Sequence, residues 1–109
     1  MPKLTIRVPH TFDAATAFAK IQPALEKTVT DFQGSGLEMI KTDTAAEFSF
    51  KSMAFTIKGR AEATPSEAVV EVDLPFAALM FKDKAERAIT KNLTRALGGE
   101  WPPPGERKT

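Results

Sequence analysis

Between residues 47 and 74 the chain alternates apolar and polar residues again and again. Over such a length this pattern suits strands with one dry face and one wet face, because successive side chains on a strand point opposite ways. Residues 47–51 put Phe48 and Phe50 on one side. Residues 53–63 put Met53, Phe55 and Ile57 on one face, followed by Gly59, Ala61 and Ala63, with Thr56, Lys58, Arg60 and Glu62 opposite. Residues 69–74 turn Val70, Val72 and Leu74 inward and Glu71 and Asp73 outward. Residues 37–42 read as one more strand. Leu4, Ile6 and Val8, alternating with Lys3, Thr5 and Arg7, form a first strand that ends at Pro9. The breaks at Asp43-Thr44, Lys51-Ser52 and Thr64-Pro65-Ser66 are short enough for hairpins. Gly59 in mid-strand marks a bulge or a close approach.

Two segments keep helical spacing instead. Ala14, Phe18, Ile21, Leu25, Val29 and Phe32 fall on one stripe, with Thr11 as cap and Asp13 in the first turn. Pro23 interrupts this stretch from its solvent side. It predicts either one helix kinked there or two short ones meeting at Gln22-Pro23. Gly34-Ser35-Gly36 is expected to end the helix. A last helix over residues 82–97 has Ala85, Ile89, Leu93 and Ala96 inside, and Gly98-Gly99 stops it.

The order is β-α-β-β-β-β-α. The expected fold class is α+β: a curved antiparallel sheet of about five strands with both helices on its apolar face. This layout resembles a reduced helix-grip fold of the START-like superfamily. A chain of 109 residues, 42% apolar and with eight Phe, suffices for one domain over residues 1–98. Residues 99–109, with Trp101 and three prolines, read as a flexible tail.

Composition removes several classes of function. There is no Cys and a single His, so disulfide scaffolds and the usual zinc sites drop out, and no metal or cofactor is implied. Fifteen basic against fourteen acidic residues give no global attraction to nucleic acid. No signal peptide or transmembrane run is visible, so the cytoplasm is the expected location.

Each local constellation has a plainer reading beside the functional one. His10, with Asp13 nearby, is the one candidate general base, but it has no nucleophile elbow or second His. A corner histidine bonded to backbone is the plainer reading. Glu62 and Glu71 are expected to face each other across a hairpin, but cations on the same wet face relieve their charge. The stripe Lys84, Arg87, Lys91 and Arg95 lies on one side of the last helix. It reads as a solvated face, since no aromatic residues interleave to stack bases. Phe76, Leu79, Met80 and Phe81 are more apolar than one helical stripe can hide. They either plug an end of the core or rim a cavity between helix and sheet, or else form an exposed contact patch.

Ile6-Arg7-Val8-Pro9-His10 entering a helix resembles the opening of the polyhydroxyalkanoic acid system family, and Arg7, Pro9 and His10 are its family-like residues. Leu74-Pro75-Phe76-Ala77-Ala78-Leu79-Met80-Phe81-Lys82 resembles that family's closing segment. Phe48-Ser49-Phe50 and Ile57-Lys58-Gly59 match its aromatic strand and its hydrophobic-x-Gly step. The similarity spans about residues 3–97. Asp83 stands where many relatives have Gly, and the Trp-Pro tail has no family counterpart. The resemblance implies a small bacterial protein linked to storage-polyester metabolism, with no enzyme activity and no catalytic residues.

Two roles fit. The first is a non-catalytic accessory protein that contacts a polyhydroxyalkanoate granule or a granule-associated protein. The second is a carrier of a small apolar ligand such as a fatty acyl compound, in a cavity lined by Phe18, Leu25, Phe48, Phe55, Val72 and Ile89. An enzyme built on His10 ranks last. Two open sheet edges also allow a homodimer.

Overall fold

The computed structural model describes residues 3–52 and 55–99, apart from the side chains of Phe76 and Ala77. The element order is β1 (Lys3–Pro9), α1 (Ala14–Asp31), β2 (Gly34–Lys41), β3 (Ala45–Ser52), β4 (Phe55–Ala63), β5 (Glu67–Asp73), a 3-10 turn (Phe76–Phe81) and α2 (Lys82–Ala96). The strands form one antiparallel sheet in the order β1-β5-β4-β3-β2. β1 and β2 are its edges, and α1 carries the chain from one edge to the other. Both helices cover the same face, so the fold is the reduced helix-grip layout that the alternation predicts. Met53 and Trp101 lie outside the described residues.

The period-two patterns become buried rows. Leu4, Ile6 and Val8 on β1, Phe48 and Phe50 on β3, Ile57, Ala61 and Ala63 on β4, and Val70 and Val72 on β5 all face the helices. On α1, Phe18, Ile21, Leu25 and Val29 are buried as expected, along with Ala17, Ala24 and Thr28. Ala85, Ile89 and Leu93 are buried on α2, together with Asn92, which the apolar spacing does not reveal.

Two local expectations, the cap and the stop of α1, are corrected, and of the two forms left open at Pro23 the structure shows the single helix. The cap of α1 is Asp13 rather than Thr11. Its carboxylate accepts from the Thr16 N–H at 2.7 Å and from the Thr16 hydroxyl at 2.9 Å. α1 is one helix despite Pro23, which is exposed; so is Ala19, whose carbonyl Pro23 deprives of its helical donor. The residue that turns the chain out of α1 is Gln33, at φ 55°, and Gly34 already belongs to β2. Gly36, at φ 66°, instead sits where the β2–β3 register shifts.

The end of α2 follows the sequence. Gly98 adopts φ 82°, with its N–H on the Arg95 carbonyl at 3.2 Å and the Gly99 N–H on the Thr94 carbonyl at 2.8 Å. These two bonds are the Schellman closure that a left-handed glycine permits.

Residue size is graded along the inner face of the sheet. Ala46, Ala61, Ala63 and Ala68 cluster in register at the end near the Thr64-Pro65-Ser66 turn. Phe48, Phe50, Phe55 and Ile57 occupy the other end. Small side chains let a helix lie close, and large ones hold it off. The helix–sheet layer is therefore tight at one end and open at the other, toward the C-terminal half of α1 and the start of α2.

Candidate functional site

At the tight end sits His10. Its Nε2–H donates to the Thr64 carbonyl at 2.8 Å, and its Nδ1 accepts the Phe12 N–H at 3.0 Å. The His10 backbone N–H meets the Ser66 carbonyl at 3.0 Å. This pattern requires the neutral Nε2–H tautomer and leaves neither ring nitrogen for a substrate proton. Phe12 lies between the His10 ring, 6.1 Å away centroid to centroid, and the Lys20 ammonium, 4.7 Å from its own centroid. Asp13 is bound to Thr16, so no His–Asp pair forms. Arg7 pairs with Glu67 at 2.7 Å, and Pro9 lies opposite Glu67 in the register. Arg7, Pro9 and His10 thus tie β1 to the β4–β5 turn.

Among the described residues, the expected pair of carboxylates does not form on the wet face of the sheet. Glu62 stands opposite Val69, and Glu71 stands opposite Arg60, which corrects the expected Glu62–Glu71 opposition. Arg60 reaches Glu62 at 2.9 Å and Lys3 reaches Glu71 at 3.4 Å. Ile40, 77% exposed on the edge strand β2, also shares this face, in a groove with charges of both signs. Its place in a strand pattern gave no signal that it would be uncovered. Among the described residues no group of three or more His, Cys, Asp or Glu could hold a metal ion.

The open end contains a cavity of about 160 Å³ between α1, α2 and the sheet. Leu25, Phe48, Phe55, Val72 and Ile89 line it, as the sequence suggests. Phe18 does not line it and is packed elsewhere in the core. Its exposed rim consists of Asp31, Gln33 and Lys84, with the half-buried Phe32, Ser52 and Phe81 between them. The Ser52 hydroxyl donates to the Phe32 carbonyl at 2.6 Å, joining the β3 end of the rim to α1.

The apolar segment before α2 is divided between two roles. Ala78 is buried, and with the half-buried Phe81 it forms part of the cavity wall. Leu79 and Met80 point outward, 37% and 81% exposed. Phe76 is also expected in this patch, but its side chain lies outside the described residues. Lys84, Arg87 and Arg95 are exposed on α2 and Lys91 is half-buried.

A buried polar link joins the helices beside the cavity. Asn92, 4% exposed, donates from Nδ2 to the Thr28 hydroxyl at 2.9 Å and to the Asp31 carboxylate at 3.2 Å. Thr28 in turn donates to the Ala24 carbonyl at 2.8 Å. Among the described residues Asn92 Oδ1 is the one buried side-chain polar atom with no partner. The Asn92 amide first, then Lys27 and Lys91, hold the Asp31 carboxyl below its ordinary value of 3.8, against the opposing effect of partial burial. Folding therefore favours the ionised form. The stability this contributes is fully present above 3.8 and is lost as pH falls through the lower folded-state value. Urea titrations from about pH 6 to about pH 2.5 should show Asp31→Asn less stable than wild type above about pH 4, with the gap closing below it. A gap independent of pH would mean that the Asp31 charge contributes nothing.

A family model described as "Putative polyhydroxyalkanoic acid system protein" matches residues 4–97. The chain belongs to the polyhydroxyalkanoic acid system protein family. The match starts in β1 and ends at the C-cap of α2, so the family pattern and the helix-grip elements coincide. The family description ties the chain to polyhydroxyalkanoate systems and names no reaction. No curated protein matches it significantly. Among solved structures, the chain is similar to Ara h 8.0201 at 13% identity and a TM-score of 0.45, covering 90% of this chain and 99% of that one. It is also similar to TTHA0849 from Thermus thermophilus at 9% identity and a TM-score of 0.38, covering 88% of this chain and 94% of that one. In this polyhydroxyalkanoic acid system protein, no described helix is long and apolar enough to cross a membrane.

Proposed function

We propose that this chain is a non-catalytic accessory protein of polyhydroxyalkanoate metabolism that contacts the apolar surface of a granule. The observation that carries the reading is the 3-10 turn, which holds Leu79 and Met80 out to solvent beside the exposed Lys82 and Lys84. An exposed Met in a short turn offers a flexible apolar contact. The fully engaged His10 fits a protein with no chemistry of its own. Co-sedimentation with isolated granules tests the reading. Met80→Glu and Leu79→Glu, with helical content and melting temperature unchanged, should lower recovery by about tenfold, the loss expected for failing to bury one such side chain. Recovery equal to wild type would reject the patch.

A second reading is favoured by the cavity. At about 160 Å³ it is too small for a long acyl chain or a drug-sized ligand. It matches the engineered apolar cavities of roughly 150 Å³ that accept benzene. Under this reading the protein holds a short apolar molecule of about six carbons rather than the fatty acyl compound suggested by the sequence.

A further inference from the structure

Resting on that second reading, we propose that the cavity selects a short-chain monocarboxylate, with its tail inside and its carboxylate at the rim beside Lys84. The wall is apolar, built from Leu25, Phe48, Ile57, Val72 and Ile89, so it recognises a hydrocarbon tail without orienting it. Orientation has to come from the rim, where the lining includes one cation, Lys84, and one anion, Asp31. These two charges are not equally available. The Asp31 carboxylate is occupied by Asn92 Nδ2 at 3.2 Å and by the Lys27 ammonium at 3.3 Å. Among the described residues Lys84 has no ion-pair partner. The lining therefore holds one cation without an ion-pair partner and one carboxylate already engaged by a cation and an amide, and an incoming anion meets net attraction. A ligand ammonium would have to compete with Lys27 for Asp31 while facing Lys84.

The other polar groups of the lining do not reverse this preference. The Ser52 and Thr28 hydroxyls already donate to the Phe32 and Ala24 carbonyls, and the uncharged Gln33 amide at the rim, which can donate or accept, favours neither sign of charge. Volume limits the tail, since a space of this size accommodates about six carbon atoms. The ligand class is thus an alkanoate of roughly that length, a small acid rather than an alcohol, an amine or a long-chain lipid.

Three probes with one tail test this: hexanoate, 1-hexanol and hexylamine, titrated into the full chain at low salt and followed by backbone amide NMR shifts. Hexanoate is expected to bind about three- to fivefold more tightly than hexanol, the range of one solvent-exposed ion pair, with hexylamine weakest. Lys84→Met should remove the advantage of hexanoate while leaving hexanol affinity unchanged, and high salt should narrow it in wild type. Hexanol or hexylamine binding as tightly as hexanoate would overturn the head-group assignment and leave the cavity reading standing. Shifts from none of the three at millimolar concentration would overturn both.

Discussion

Gly59→Val should lower the unfolding free energy by about 3 kcal/mol, the upper part of the range for an overpacked core. A Cβ at Gly59 would lie 2.5 Å from Phe48 Cζ and 2.6 Å from the Glu71 carbonyl oxygen. Gly59 is opposite Phe48 on β3 and opposite Val72 on β5, so it is closed in from both neighbouring strands. The Phe48 ring is stacked with Phe50 at 6.4 Å, and both rings line the cavity, so yielding to the new Cβ disturbs that pair or fills the cavity. The Glu71 oxygen is backbone and cannot rotate away. Gly59→Ala meets the same two atoms, and trimming Phe48 to Ala relieves only one of them. Part of the Gly59→Ala penalty should therefore persist in a Phe48→Ala background. Urea denaturation of the four proteins measures it. A loss under about 1 kcal/mol for Gly59→Val would show that the sheet opens there at little cost.

Leu93→Ala is the second large effect, with an expected loss of about 3–5 kcal/mol. Leu93 is 1% exposed and among the largest fully buried side chains of the core, on the face of α2 that also carries Ile89 and Asn92. Truncation removes its apolar burial and leaves a void that α1 and the sheet, fixed by their own contacts, cannot fill. Domains of this size are usually stable by only about 5–15 kcal/mol, so the variant would be close to its folding limit. Met80→Ala is the control. It removes a side chain 81% exposed and should change stability by less than about 0.5 kcal/mol in the same assay. Comparable losses for the two would contradict the burial assigned to both.

Much of the fold was legible because it depends on spacing. Alternation marked the faces of β1, β3, β4 and β5, and steps of three and four marked the inner stripes of both helices. The Gly98 closure was readable from the glycine alone. What escaped depends on partners far apart in sequence. Asn92 lies three residues after Ile89, on the inner stripe, yet its partner Thr28 is 64 residues earlier and no local pattern links them. Gly59 stands out in the sequence as a bulge or close approach, but only the register showed that a phenylalanine ring and a strand carbonyl crowd it. Gln33 was missed because glycine is the usual residue in the left-handed conformation, and glycines stand one and three residues further on.

The candidate site was half legible. Five of the six expected cavity residues line it, since facing rows of large apolar side chains are a sequence property. Its volume was not, because that depends on how far α1 stands from the sheet. Nor did composition show that Leu79 and Met80 turn outward while Ala78 and Phe81 turn in. A 3-10 turn repeats every three residues and splits an apolar run differently from an α-helix.

The alanine-to-phenylalanine gradient across the sheet gives the two ends of the molecule separate jobs. The alanine end clamps the layers together beside the His10 corner, and changes there would be felt as lost cohesion. The phenylalanine end sets how much room remains, so shortening Phe55 or Phe81 would enlarge the chamber while leaving the clamp alone. Descendants of this chain can thus retune what they accommodate by resizing one or two rings, without renegotiating the architecture.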